Sequence, residues 1–94
     1  MRIRFFTDSD GTPHIYQHGV SEAEAIQALS HPLERVSGRG DSTIAIGRTQ
    51  SGRILKVVYA PARDGDGIIV ITAYDLPPKQ VKALNRRLRR RPGS

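Results

Sequence analysis

Two histidines, two arginines and two tyrosines carry most of the chemistry this chain can offer. His14 and His18 stand four residues apart. On a helix that spacing could hold a metal, but no third ligand lies nearby, and Pro13 and Gly19 argue against a long helix there. No metal and no cofactor are therefore expected. An imidazole at a cleft edge can act as acid, base or phosphate ligand. Equally, His18 can serve only to fix the approach to the helix that follows. Arg48 and Arg53 flank a tight turn, Thr49–Gly52, where guanidinium forks on one rim would suit phosphate. Singly, each reads as an edge-strand charge that discourages aggregation. Tyr59 and Tyr74 close two apolar runs. A phenol can stack on a base or donate a proton, although a strand tyrosine is more often packing.

The second chemical signal is charge. The net charge is +6, and residues 79–94 carry Lys79, Lys82, Arg86, Arg87, Arg89, Arg90 and Arg91 with no acid. The remainder has eight basic and nine acidic residues, so the whole excess sits in this block. A concentrated, acid-free block points to a polyanionic partner, either nucleic acid or an acidic protein. Lys79, Lys82, Arg86, Arg87 and Arg90, with His14, are the candidate contacts to a phosphate backbone. Aromatic stacking residues are sparse, so affinity for backbone is easier to argue than sequence specificity.

These residues need a scaffold, and the apolar density lies in Ser42–Asp75. Three runs rich in Ile, Val, Tyr and Thr are separated by turns containing Gly. That pattern predicts a three-strand antiparallel meander. Thr49–Gly52 makes a tight hairpin, and the charged Pro61–Gly67 segment makes a longer exposed connection. Arg2–Thr7 alternates, with Ile3 and Phe5 on one face and Arg2, Arg4 and Phe6 on the other, which predicts a short strand. Ser21 is a good N-cap, and Glu24 three residues later completes a capping box. The helix so begun runs to about Ser30, with Ala25, Ile26 and Leu29 at helical spacing, and Pro32 ends it. Leu33–Asp41 reads as a polar connection. After Leu76-Pro77-Pro78, the spacing of Val81, Leu84 and Leu88 predicts a last helix with a narrow apolar stripe. Arg89–Ser94 is expected to fray. The expected fold class is α+β, with a small antiparallel sheet, meander plus N-terminal strand, packed against a first-half helix and a basic C-terminal helix.

Ninety-four residues make one domain, 1–94, with a modest core. There is no Cys, hence no disulfide and no thiolate metal site. No apolar run approaches the length of a membrane span, and Met1–Asp8 is too short and too soon polar for a signal peptide. No membrane association and a cytoplasmic location are the expectations.

Several motifs, taken in order, resemble the BrnT-type toxins and their relatives in the broader RelE/ParE-like superfamily. They are His18-Gly-Val-Ser with Glu24-Ala25, His31-Pro32-Leu33, Ile46-Gly47-Arg48-Thr49 with Gly52-Arg53, Leu55, Val57-Val58-Tyr59, and Ile69, Ile71-Thr72-Ala73. The resemblance spans about residues 13–88. It implies the toxin of a bacterial type II toxin–antitoxin pair, an endoribonuclease that needs no metal and is neutralised by a cognate antitoxin. It implies RNA as substrate, and a homodimer or a hetero-oligomer with the antitoxin. By position, His18, Arg48 and Arg53 match the family pattern. Tyr74 stands where those toxins usually carry arginine, and joins them in the candidate catalytic set. Gln17 replaces a usual basic residue, and Asn85 and arginines replace acidic and aromatic ones in the last helix. A non-catalytic module on the same fold, binding RNA, DNA or an acidic partner, is the alternative. A DNA-acting member that poisons gyrase is a third, weaker reading.

Overall fold

A computed structural model describes residues 1–90. In chain order it contains β1 (Ile3–Phe5), a 3-10 turn (His14–His18), α1 (Glu22–Ser30), β2 (Pro32–Ser37), β3 (Thr43–Arg48), β4 (Ile54–Pro61), β5 (Ile68–Asp75) and α2 (Pro78–Arg90). The strands form one sheet in the order β1-β5-β4-β3-β2. The fold is α+β. Among the described residues no helix is long and apolar enough to cross a membrane.

The meander β3-β4-β5 is antiparallel throughout, as its apolar runs and turns require. Its first turn closes through Thr49 N–H to Arg53 O at 2.8 Å, with Gly52 at φ 93°. Two features depart from the sequence expectation. First, Pro32–Ser37 is a strand and not a loop. It pairs antiparallel with β3, with a register shift between Pro32 and Glu34. It is an edge strand, mostly exposed, so it carries polar residues where a central strand would carry apolar ones. Second, the sheet is mixed. β1 runs parallel to β5, with Ile3, Arg4 and Phe5 opposite Ile68, Ile69 and Val70.

Sheet alternation then sorts the side chains. Leu55 and Val57 of β4, Val70 and Ala73 of β5 and the half-buried Ile3, Phe5 and Tyr59 form one cluster with Ala25, Ala28 and Leu29 of α1. Ile15 and Val20 complete it, both almost without exposure. Among these, each fully buried Ile, Leu or Val side chain contributes on the order of 1.5–3 kcal/mol. α1 begins as the sequence predicts: Ser21 Oγ accepts from Glu24 N–H and Glu24 Oε1 accepts from Ser21 N–H, each at 3.1 Å. It approaches the sheet closely because the facing residues are small. A Cβ on Gly47 would run into the backbone of Ala28.

α2 meets the other face at the edge strand β2. Glu34 is paired with Ile46, one step out of phase with Ala45 and Gly47 beneath α1. Arg87 of α2 forks onto that glutamate, Nε to Oε2 at 2.6 Å and Nη2 to Oε1 at 2.8 Å. Leu84 is fully buried, with Val81 and Leu88 half-buried. Of the tail expected to fray, Arg89 and Arg90 form the end of α2, and residues 91–94 lie outside the described residues.

Candidate functional site

The site begins where β1 stops short. β1 covers only the first half of β5, and the chain then turns through Asp8–Pro13. That turn is closed by Asp8 N–H to Thr12 O and Gly11 N–H to Asp8 O, at 2.8 and 2.9 Å. The 3-10 turn packs against β5 in its place. Gly19, at φ 68°, ends the turn, and its N–H donates to Tyr16 O at 3.1 Å. Such a left-handed cap strains any residue but glycine.

This path brings a row of polar and aromatic groups into contact. Asp8 Oδ1 lies 2.9 Å from His14 Nδ1, while Asp8 Oδ2 accepts from Gln17 Nε2 at 2.6 Å. A carboxylate acceptor favours the Nδ1–H tautomer and leaves Nε2 as the basic nitrogen. The His14 and His18 rings meet edge to face with centroids 5.4 Å apart. His18 in turn meets Tyr74, centroids 5.8 Å apart. Lys56, directly opposite Tyr74 in the β4–β5 ladder, holds Nζ 5.9 Å from the phenol centroid. Phe6 closes the far end against His14 at 6.3 Å. Carboxylate, two imidazoles, phenol and ammonium thus form one strip that runs from the uncovered edge of β5 onto the central strand β4. His18 is exposed, and His14, Tyr74 and Lys56 are half-buried. Among the described residues no three His, Asp or Glu converge closely enough to hold a metal ion.

The residues singled out in the sequence divide as follows. His14, His18 and Tyr74 are together in the strip. Arg48 is exposed at the end of β3, and alternation puts it on the face of Ile46, Lys56 and Tyr74, two strands from Tyr74. Arg53 is on the opposite face, with Leu55 and Asp75, and its guanidinium is engaged. Nε and Nη2 fork onto Asp75 at 3.1 and 3.0 Å. Nη1 donates to Glu24 Oε2 at 2.9 Å and to Gly19 O at 3.0 Å. Hydrogen bonds to Asp75 and then Glu24 raise the Arg53 pKa. The Ser21 N–H, followed by Arg53, lowers that of Glu24.

On α2, Lys79, Lys82, Arg86 and Arg90 are exposed. Lys82, Asn85, Arg86 and Arg89 line an open concavity of about 430 Å³. Arg87 is diverted to Glu34. Tyr59 packs beside the core and lines a smaller cavity of about 200 Å³ with Met1, Ile3, Leu29 and Arg35. Asp8 and Lys56 belong to the strip but carry no sequence signal of their own. Asp8 lies in turn-forming sequence, and Lys56 meets Tyr74 only once the β4–β5 register is known.

Compared with known proteins, the chain matches no protein-family model, no curated protein and no solved structure.

Proposed function

We propose that this protein is a metal-independent endoribonuclease of the toxin type, acting in the cytoplasm and held in check by an acidic partner protein. One observation carries the reading: the unbroken succession His14–His18–Tyr74–Lys56, with Asp8 orienting the first imidazole. RNA cleavage without metal needs a base for the 2′-hydroxyl, an acid for the leaving oxygen and a cation for the charged phosphorane. His18 takes the proton from the 2′-hydroxyl as that oxygen attacks the adjacent phosphorus. The bond from phosphorus to the 5′-oxygen breaks, and Tyr74 returns a proton to that oxygen. The products are a 2′,3′-cyclic phosphate and a 5′-hydroxyl. Lys56 offsets negative charge at phosphorus, and Arg48, Lys79 and Lys82 bind flanking phosphates.

A second reading has its own support. Arg53, the arginine expected to contact phosphate, is spent on two carboxylates and a carbonyl. A module that binds RNA through α2 without cutting it fits that fact. Cleavage and binding assays on one RNA separate the two readings. On the enzymatic reading, expression in a bacterial host arrests growth with translation falling first, and His18→Ala relieves the arrest. RNA bound tightly yet left intact favours the binding module. Loss of supercoiling activity in a gyrase assay would instead favour a DNA-acting toxin. A small acidic partner encoded in the neighbouring reading frame would support the toxin class.

A further inference from the structure

Arg53 touches both segments that bring the imidazole and the phenol together, and neither ring itself. One of its acceptors is the carbonyl of Gly19, the residue after His18. Another is Asp75, the residue after Tyr74, gripped by two parallel hydrogen bonds. The third is Glu24, whose other oxygen caps α1. The backbone of Arg53 is itself pinned: its N–H donates to Thr49 Oγ1 at 3.0 Å and its carbonyl accepts from Thr49 N–H at 2.8 Å. A planar fork with four of its N–H groups in use fixes direction as well as distance.

We propose that Arg53 is a positioning residue, which sets the His18–Tyr74 contact by clamping Gly19 and Asp75 and does not contact phosphate. The proposal rests on the nuclease reading for its catalytic consequence, but its geometric content stands without it. The 3-10 turn and the end of β5 come from distant parts of the sequence, and backbone pairing does not join His18 to Tyr74. Without the clamp the turn is held by its own hydrogen bonds and by the buried Ile15 and Val20, but its tie to the end of β5 is lost and the contact between the two rings loosens. Misplacement of reacting groups by about 1 Å can cost a factor on the order of 100 in rate.

The test uses Arg53→Gln, Arg53→Lys and Asp75→Asn in the full chain, read in two ways. The first readout is the nuclear Overhauser cross-peak between the His18 and Tyr74 rings in the free protein. The second is kcat and KM for RNA. The clamp predicts that Arg53→Gln loses the cross-peak, and that Asp75→Asn, which keeps the arginine, weakens it too. Lysine cannot fork, so Arg53→Lys restores it only in part. kcat falls about 10- to 100-fold in Arg53→Gln and in the same direction in Asp75→Asn, with KM little changed. The contrary result is specific. If Asp75→Asn leaves ring contact and rate intact or raises the rate, while Arg53→Gln keeps ring contact and loses activity, then Arg53 is a phosphate ligand and the proposal is wrong. Should Arg53→Gln not fold, the Asp75→Asn and Arg53→Lys cross-peaks still decide. If the wild type cuts no RNA, the nuclease reading fails while the cross-peaks still test the clamp.

Discussion

Asp64, on the exposed connection between β4 and β5, is a carboxylate held in the charged form by its neighbours. The Arg4 guanidinium, 2.7 Å away, and then the Asp66 N–H lower its pKa from the ordinary 3.8 to about 2. Glu24 is lowered as well, through the Ser21 N–H and Arg53. A group whose pKa is depressed by folding contributes stability above its unfolded pKa and loses it as pH falls through the folded one. The protein should therefore lose stability as pH drops from about 4 towards 2, and Asp64→Asn should flatten that dependence. Urea midpoints measured against pH check this; a pH-independent midpoint in the wild type would contradict it. A second prediction concerns Asp8. Asp8→Asn weakens the hold on His14, whose ring packs edge to face on His18 and so positions it, and any cleavage should slow, on the order of 10-fold or more, with binding little affected. An unchanged rate would remove His14 from the machinery. The sequence marks His18 and Tyr74 as chemically capable, but nothing local joins them. Their meeting depends on β1 ending early and on the 3-10 turn filling the vacated edge. The engagement of Arg53 is hidden for the same reason, since Glu24 and Asp75 are distant in the chain.

Among the elements, α1 and the meander are legible because their signals are local: a capping box, a proline stop, alternating apolar runs and glycine turns. β2 is not, because an edge strand with Glu34, Arg35 and an exposed Val36 lacks the apolar density of a central one. The parallel pairing of β1 is not legible either, since three residues cannot specify a partner by pattern. The apolar stripe of α2 was readable, and Leu84 is its fully buried member. Leu84→Ala should cost about 2–4 kcal/mol, which for a domain of this size lowers Tm by roughly 4–8 °C per kcal/mol. Unchanged thermal stability would mean that α2 is not docked in solution. Gly47→Ala should be comparably harmful for the opposite reason. The added methyl meets the rigid backbone of Ala28, and overpacking of this kind costs about 1–3 kcal/mol or more. Its Tm, set beside that of Ala45→Gly, checks whether α1 is held by this close approach.

At the scale of the whole molecule, charge is segregated. The positive excess is carried by the C-terminal block, whose α2 is tied through Arg87 to Glu34 on the face opposite α1, and the strip from Asp8 to Lys56 runs from the β5 edge onto β4. Lys79, Lys82, Arg86, Arg89 and Arg90 share one face of α2 at spacings of three and four but spread along roughly 16 Å of helix axis, so they cannot all meet one phosphate. They should act as a diffuse electrostatic collar for RNA or an acidic partner. Replacing Lys82, Arg86 and Arg89 with Gln should weaken RNA binding and lower the salt slope by about one unit per lost phosphate contact. The rate at saturating RNA should be retained; a lost saturated rate in a folded variant would put a catalytic cation on α2. The central claim is that the imidazole–phenol strip cuts RNA without metal. Its most direct test incubates end-labelled RNA with purified protein in excess chelator, with and without translating ribosomes, and identifies the new ends. The account predicts 2′,3′-cyclic phosphate and 5′-hydroxyl ends from the wild type, none from His18→Ala, and no cut where the 2′-hydroxyl at the cleaved position is replaced by hydrogen. RNA that is bound in a salt-dependent manner yet stays intact under both conditions would contradict it.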